Sequence, residues 1–163
     1  MILTLVYIIH WSPMEIEILT KNEVTSFNNP PTLNYKQKEY FFSLNDNLLD
    51  TLIINYKKEN IAYFILLYGY FRVSNRFYTI NDNCIKDLEY IQNRYNLLEP
   101  QIQIPERTIR IYKAKIKQHL GIKEYTDEIK ATLLNEAISL ANNFTHRKKI
   151  FYSLVELSIK LKI

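Results

Sequence analysis

Glycine occurs twice in 163 residues, cysteine and tryptophan once each, and histidine three times. So little glycine leaves few places for tight hairpins, dinucleotide-binding turns or phosphate-cradling loops. Sandwiches and nucleotide-binding α/β folds lose their main local device, and helices become the default. The lone Cys84 cannot form an internal disulfide or a cysteine-based zinc site, which suits a reducing cytoplasm. His10, His119 and His146 have neither the HExxH spacing on a helix nor a local carboxylate partner, so no metal is expected.

Long apolar runs are also missing. Residues 1–9, MILTLVYII, fall far short of the roughly 20 residues that span a bilayer. No basic segment or small-residue cleavage pattern frames them. Because a more ordinary pattern opens at Met14, residues 1–13 read as an upstream extension, and no membrane contact is expected. Enzyme motifs are equally scarce: there is no GxSxG, and Asp87 and Glu89, two apart, face different sides of a helix. No catalytic residue and no cofactor are expected.

What is present is apolar mass, 47% hydrophobic and 13% aromatic residues, enough to bury about two-thirds of the unfolded surface. The net charge of +4 is unevenly spread. Residues 1–98 carry 9 Lys and Arg against 10 Asp and Glu, whereas residues 99–163 carry 12 against 7. That asymmetry makes a polyanion a candidate partner of the carboxy-terminal part.

Helical signals run the length of the chain. Thr20 and Glu23 form a capping-box pair, and Asn28 to Pro31 end that helix. A helix begun near Asn34 places Tyr35, Tyr40, Phe41 and Leu44 largely on one side, and NLLDTLIINY follows with Leu48, Leu49, Leu52, Ile53 and Tyr56. Residues 61–71, IAYFILLYGYF, are apolar around most of the circumference and predict a central helix. Gly69 within it points to a close packing contact or a helix end. Arg72 and Arg76 flank its exit, where they would solubilise a very apolar helix. The next helix carries Ile85, Leu88, Ile91 and Tyr95. Prolines 100 and 105 mark a subdomain boundary, and Pro105 in a first turn opens a helix that Gly121 closes. Thr126 and Thr145 are expected N-caps of the last two helices.

The helix after Pro105 is the most informative. Ile109, Tyr112, Ile116 and Leu120 fall within about 80° of one another, and Arg107, Arg110, Lys113 and Lys117 occupy the adjoining face. One side packs while the other offers cations to phosphate or guanine. The same pattern also suits a solvated surface. Arg147, Lys148 and Lys149 begin another helix, where positive charge opposes the dipole and asks for an anion: a DNA backbone, a carboxylate such as Glu136, or water.

Several motifs together resemble one family. Pro30, Pro31 and Leu33, then Tyr40, Phe41 and Leu44, then Leu67, Gly69, Tyr70 and Phe71, then Arg76 and Phe77, then Leu88 and Tyr90 follow a fixed order. Together with HLGIKEYT at residues 119–126, they are similar to the amino-terminal domain of Tn-three family replicative transposases. The resemblance covers most of the chain after residue 17. It implies a helical domain that binds terminal inverted repeats, with strand transfer left to a distant RNase-H-like region beyond the point where this chain stops. Ile111 and Tyr112 stand where the family often has an Arg-His pair.

These observations lead to an all-α expectation: two packed, helix-turn-helix-like groups at residues 14–98 and 99–163, after the extension at 1–13. The expected role is non-catalytic DNA binding through Arg107, Arg110, Lys113, Lys117, Arg147, Lys148, Lys149 and Arg76. The expected partner is double-stranded DNA at transposon ends, in the cytoplasm at the nucleoid, with self-association or a full-length transposase as protein partners. The alternatives are a helical protein-interaction module, betrayed by a contiguous aromatic surface, and a transposase remnant without a role.

Overall fold

Short polar residues start four of the eight α-helices among the described residues. The computed structural model describes residues 17–97, 104–143 and 146–163, so the extension expected at residues 1–13 lies outside the described residues. Helix α1 (Lys21–Asn28) opens on Thr20, whose hydroxyl accepts from the Glu23 amide at 3.4 Å while the Glu23 carboxylate accepts from the Thr20 amide at 2.8 Å. The same reciprocal capping recurs at α2 (Tyr35–Phe41), between Asn34 and Gln37. Asn45 caps α3 (Asp46–Asn55), and Asn75 ends α4 (Lys58–Ser74) in the left-handed conformation that asparagine tolerates. A 3-10 turn at Asp82–Cys84 leads into α5 (Ile85–Tyr95), which closes on a left-handed Asn96.

Helix α6 (Glu106–Leu120) begins one residue later than expected. The Pro105 carbonyl accepts from the amides of Thr108 and Ile109, which puts the proline at the cap rather than in the first turn. Gly121, at φ +66°, ends the helix. Thr126 caps α7 (Asp127–Asn143), its hydroxyl accepting from the Ile129 amide at 3.3 Å. Helix α8 (Arg147–Leu161) starts at His146, whose backbone carbonyl accepts from Lys149 and Ile150 without any side-chain cap. Thr145, the expected cap, lies outside the described residues. The fold is all-α, with eight α-helices and no strand among the described residues. Among them, no helix is long and apolar enough to cross a membrane.

The chain forms two compact units, and they are not the groups 14–98 and 99–163. One unit is residues 28–119; the other joins residues 17–27 to residues 120–163. Pro105 does not open a new unit, because α6 packs within residues 28–119. Its Tyr112 is fully buried, with its ring edge-on to Phe64 at 5.3 Å and to Tyr56 at 5.1 Å. Regrouping also moves the charge: residues 28–119 hold 13 Lys and Arg against 9 Asp and Glu.

Within residues 28–119, α4 is the axis, buried without a break from Ile61 to Phe71. Helix α2 crosses it at Gly69, where the Phe42 ring is so close that a Cβ on residue 69 would come within 2.1 Å of Cδ1. Glycine is required there for contact rather than for backbone freedom. Tyr35 and Tyr40, expected on the packing side of α2, are instead 70% and 64% exposed, and the fully buried residue is Phe42. The end of α2 is held by Arg72. Its guanidinium donates to the carbonyls of Tyr40, Phe41 and Ser43, each at 3.1 Å, and lies over the Tyr40 ring. It satisfies carbonyls that the end of a helix leaves unpaired and neutralises their dipole, so it is a structural clamp and not merely a solubilising charge.

Helix α5 holds the same segment from another side. Arg94 donates to the Glu39 carbonyl at 2.7 Å, while the Tyr95 hydroxyl donates to the Phe42 carbonyl at 2.8 Å and accepts from the Leu44 amide at 3.0 Å. Beneath them the buried Asp87 accepts from the Tyr70 hydroxyl at 2.7 Å and pairs with Lys38. Burial first, and then the Asp87 hydrogen bond, push the Tyr70 phenol well above its ordinary range.

The other unit is a pair of packed helices, α7 and α8, with α1 attached. Phe27 meets Phe151 edge-on at 5.8 Å, Glu23 accepts from Lys148 at 2.6 Å, and the Lys123 amide donates to the Lys162 carbonyl at 2.7 Å. Leu133, Phe151 and Leu154 are its buried apolar residues. They also line an apolar groove of about 210 Å³ that reaches Ile18, Tyr125 and Leu134.

Candidate nucleic-acid interface

The period of α6 decides which of its cations face water. Tyr112 and Ile116 are buried, and Ile109 and Leu120 are half-buried, so the apolar stripe packs as expected. On the opposite side Arg107, Arg110 and Ala114 are exposed, with the half-buried Lys117 at the margin; these four span about 80° around the helix. Arg107, Arg110 and Lys117 make no ion pair among the described residues. Their donors are left to solvent or to a ligand.

Lys113 stands apart. It is half-buried, and its ammonium lies 5.6 Å from the centre of the Phe77 ring, a cation–π contact that ties α6 to the segment after α4. Arg76, next to Phe77, is also half-buried, with its guanidinium 5.4 Å from the centre of the Tyr78 ring. Arg76 and Lys113 thus meet one aromatic segment from two directions, and part of their function is to hold it.

Arg147, Lys148 and Lys149 belong to the other unit. All three are exposed, yet Lys148 donates to Glu23, which answers the question of which anion relieves the dipole conflict at the start of α8. The carboxylate comes from a residue 125 positions away, not from Glu136. That pairing, helped by the Thr20 amide and hydroxyl, lowers the Glu23 pKa from 4.5 to about 2. Arg147 is exposed and makes no ion pair among the described residues, whereas Lys149 is engaged by the protein.

The expected DNA-binding set did not include Ile111, Ala114, Lys115 and Gln118, all exposed on α6. The helical period carried the signal, since all four lie off the stripe defined by Tyr112 and Ile116. Ile111 is 43% exposed and Tyr112 is fully buried, so the two departures from the family's Arg-His pair have opposite fates. The Tyr112 hydroxyl is buried without a hydrogen-bond partner among the described residues, and burial pushes its pKa up to about 12, with the neighbouring Tyr56 adding to the effect.

A family model described as Domain of unknown function (DUF4158) matches residues 18–163. No curated protein and no protein of solved structure matches the chain significantly.

Proposed function

We propose, since this chain belongs to the DUF4158 family, a domain found at the amino terminus of Tn-three family transposases, that it is a non-catalytic module binding duplex DNA at transposon ends. One observation supports this above the others: α6 is anchored by Tyr112 and Ile116 while Arg107 and Arg110 stand exposed with no carboxylate partner among the described residues. Arginines on a rigid helix offer forked donors to phosphate or guanine at little further loss of order. Charge adds support, because the unit that contains α6 is the more basic of the two.

A catalytic role has no comparable support. Asp87, the buried carboxylate among the described residues, is held between Tyr70 and Lys38 within the core. The protein-interaction reading asks for a contiguous aromatic surface. The large aromatics most exposed among the described residues are Tyr35 and Tyr40 in one unit and Tyr152 in the other, and Tyr40 is already engaged by Arg72.

The test is fluorescence anisotropy of a labelled 30-base-pair duplex over a range of salt. Each phosphate contact contributes about 0.9 to the slope of log affinity against log salt. Replacing Arg107 and Arg110 by Ala should weaken binding and flatten the slope by nearly two units, with helicity unchanged. These two residues suit the test better than Lys113, whose loss would also disturb Phe77. Absence of binding at low salt would sink the reading.

A further inference from the structure

The exposed face of α6 is not uniformly charged. Around the helix the order is Arg110, the small Ala114, Arg107, Gln118 and Ile111, all exposed, so the arginines flank Ala114 and the face turns aliphatic beyond them. On a regular helix these five residues span about 100°, one continuous face, and the major groove is wide enough to admit an α-helix. Their order has a chemical sense. A small residue between the arginines lets the backbone approach, while the long basic side chains beside it reach phosphates and guanines. An exposed aliphatic side chain serves neither solvation nor phosphate binding, but it fits the one apolar group of the major groove, the thymine methyl. The side-chain amide of Gln118 matches the donor and acceptor pair of adenine.

We propose that α6 reads base edges, with Ile111 against a thymine methyl and Gln118 against an adenine; this rests on the DNA-binding reading above. Ile111 and Gln118 are one heptad apart, so they share a ridge and stand roughly 10 Å apart along the axis. At about 3.4 Å per base pair, that separation corresponds to roughly three steps, and the two side chains address different pairs. Lys117 at the margin, and Lys115 on the side of Ile111, are left for the phosphates that border the groove. The face therefore favours A·T pairs at two positions, whereas Arg107 and Arg110 supply affinity and any preference for guanine.

Two synthetic probes isolate the methyl group: 24-base-pair duplexes of alternating dA·dT and alternating dA·dU, which differ only at C5 of the pyrimidine. The unmodified chain should bind the dA·dT duplex about three- to fivefold more tightly, the effect of burying roughly one methyl group. Ile111→Ala should abolish that difference, with the salt slope unchanged because no phosphate contact is lost. Gln118→Ala should weaken binding to both duplexes about equally, because adenine is common to them. Equal binding of the two duplexes by the unmodified chain, with a normal salt slope, overturns the inference and leaves the DNA-binding reading standing. A preference that survives Ile111→Ala also overturns it. Failure to bind either duplex at low salt removes both.

Discussion

The two units use apolar residues in opposite ways. In residues 28–119, α4 is buried continuously from Ile61 to Phe71, and its neighbours are fixed by hydrogen bonds from Arg72, Arg94 and Tyr95 to backbone carbonyls on α2 and just after it. In the other unit, the 17-residue α7 buries only Leu133, while Leu134 and Ile138 are 46% and 54% exposed. A helix gains most of its stability from the face it buries, so α4 is held by its core and α7 depends more on its partner α8 and on its own propensity. The proposed function draws on that difference: a helix proposed to read DNA must keep its geometry, and α6 is anchored in the densely packed unit, with Tyr112 against Phe64.

The contrast breaks most readily at the contact of Phe42 with Gly69. Phe42→Ala should cost about 3–5 kcal/mol, because the ring is fully buried and α2 would lose its seat on α4. Gly69→Ala should also destabilise, by about 1–3 kcal/mol, since the new methyl meets a ring with nowhere to go. Helix propensity alone argues the other way by about 1 kcal/mol, so the sign of the change reports whether packing wins. The double variant should cost less than the sum, its added methyl filling part of the space that the ring vacates. Urea unfolding measures all three. Amide exchange should show protection lost across α2, α4 and α5 while α7 and α8 keep theirs; a stabilised Gly69→Ala would show that the contact does not set the packing.

Local chemistry was legible in the sequence. The capping of α1 by Thr20 and Glu23, the start of α2 at Asn34, the cap at Thr126 and the buried stripe of α6 all follow from residues within a few positions of one another. Contacts made over long separations were not. No local pattern distinguishes an Arg72 that caps α2 from one that dissolves an apolar helix, and none pairs Lys148 with Glu23. The site divides along the same line. That Arg107 and Arg110 are exposed follows from the period of the helix, whereas the hold of Phe77 on Lys113 depends on where the chain after α4 comes to rest. Prolines at 100 and 105 implied a boundary because proline marks a break in hydrogen bonding, yet units are set by burial, and Tyr112 is buried among residues of the first group.

Tyr112 offers a smaller test of the densely packed unit. Its ring packs well but its hydroxyl is buried without a partner among the described residues, so Tyr112→Phe should be neutral or stabilise by up to about 1 kcal/mol. Its pKa is pushed up to about 12, against an ordinary value of 10. Between these values the unfolded chain loses its proton first, so stability is intact below pH 10 and falls as pH rises towards 12. Removing the hydroxyl should make the alkaline loss shallower without abolishing it, because Tyr63 and Tyr70 are also shifted upward by burial. An unchanged alkaline limb in the Phe variant would mean that the hydroxyl reaches water.

The smallest effect should appear in the other unit and at the opposite end of the pH scale. Glu23 is held below its ordinary pKa of 4.5, at about 2, by the Lys148 ammonium and then by the amide and hydroxyl of Thr20. In this case the folded state gives up its proton more readily than the unfolded one. The contribution is therefore fully present above pH 4.5 and is lost as pH falls towards 2. The pair is exposed, so the gain is modest and should shrink further in 0.5 M salt. Glu23→Gln keeps an oxygen for the Thr20 amide but removes the charge, and should flatten the acid limb between those pH values while leaving the alkaline limb untouched. A direct measurement is the carboxyl chemical shift of Glu23 followed by NMR from pH 6 down to 2. A midpoint near 4.5 would mean that Lys148 does not hold Glu23 in solution, and that the ring contact of Phe27 with Phe151 is what attaches α1 to α8.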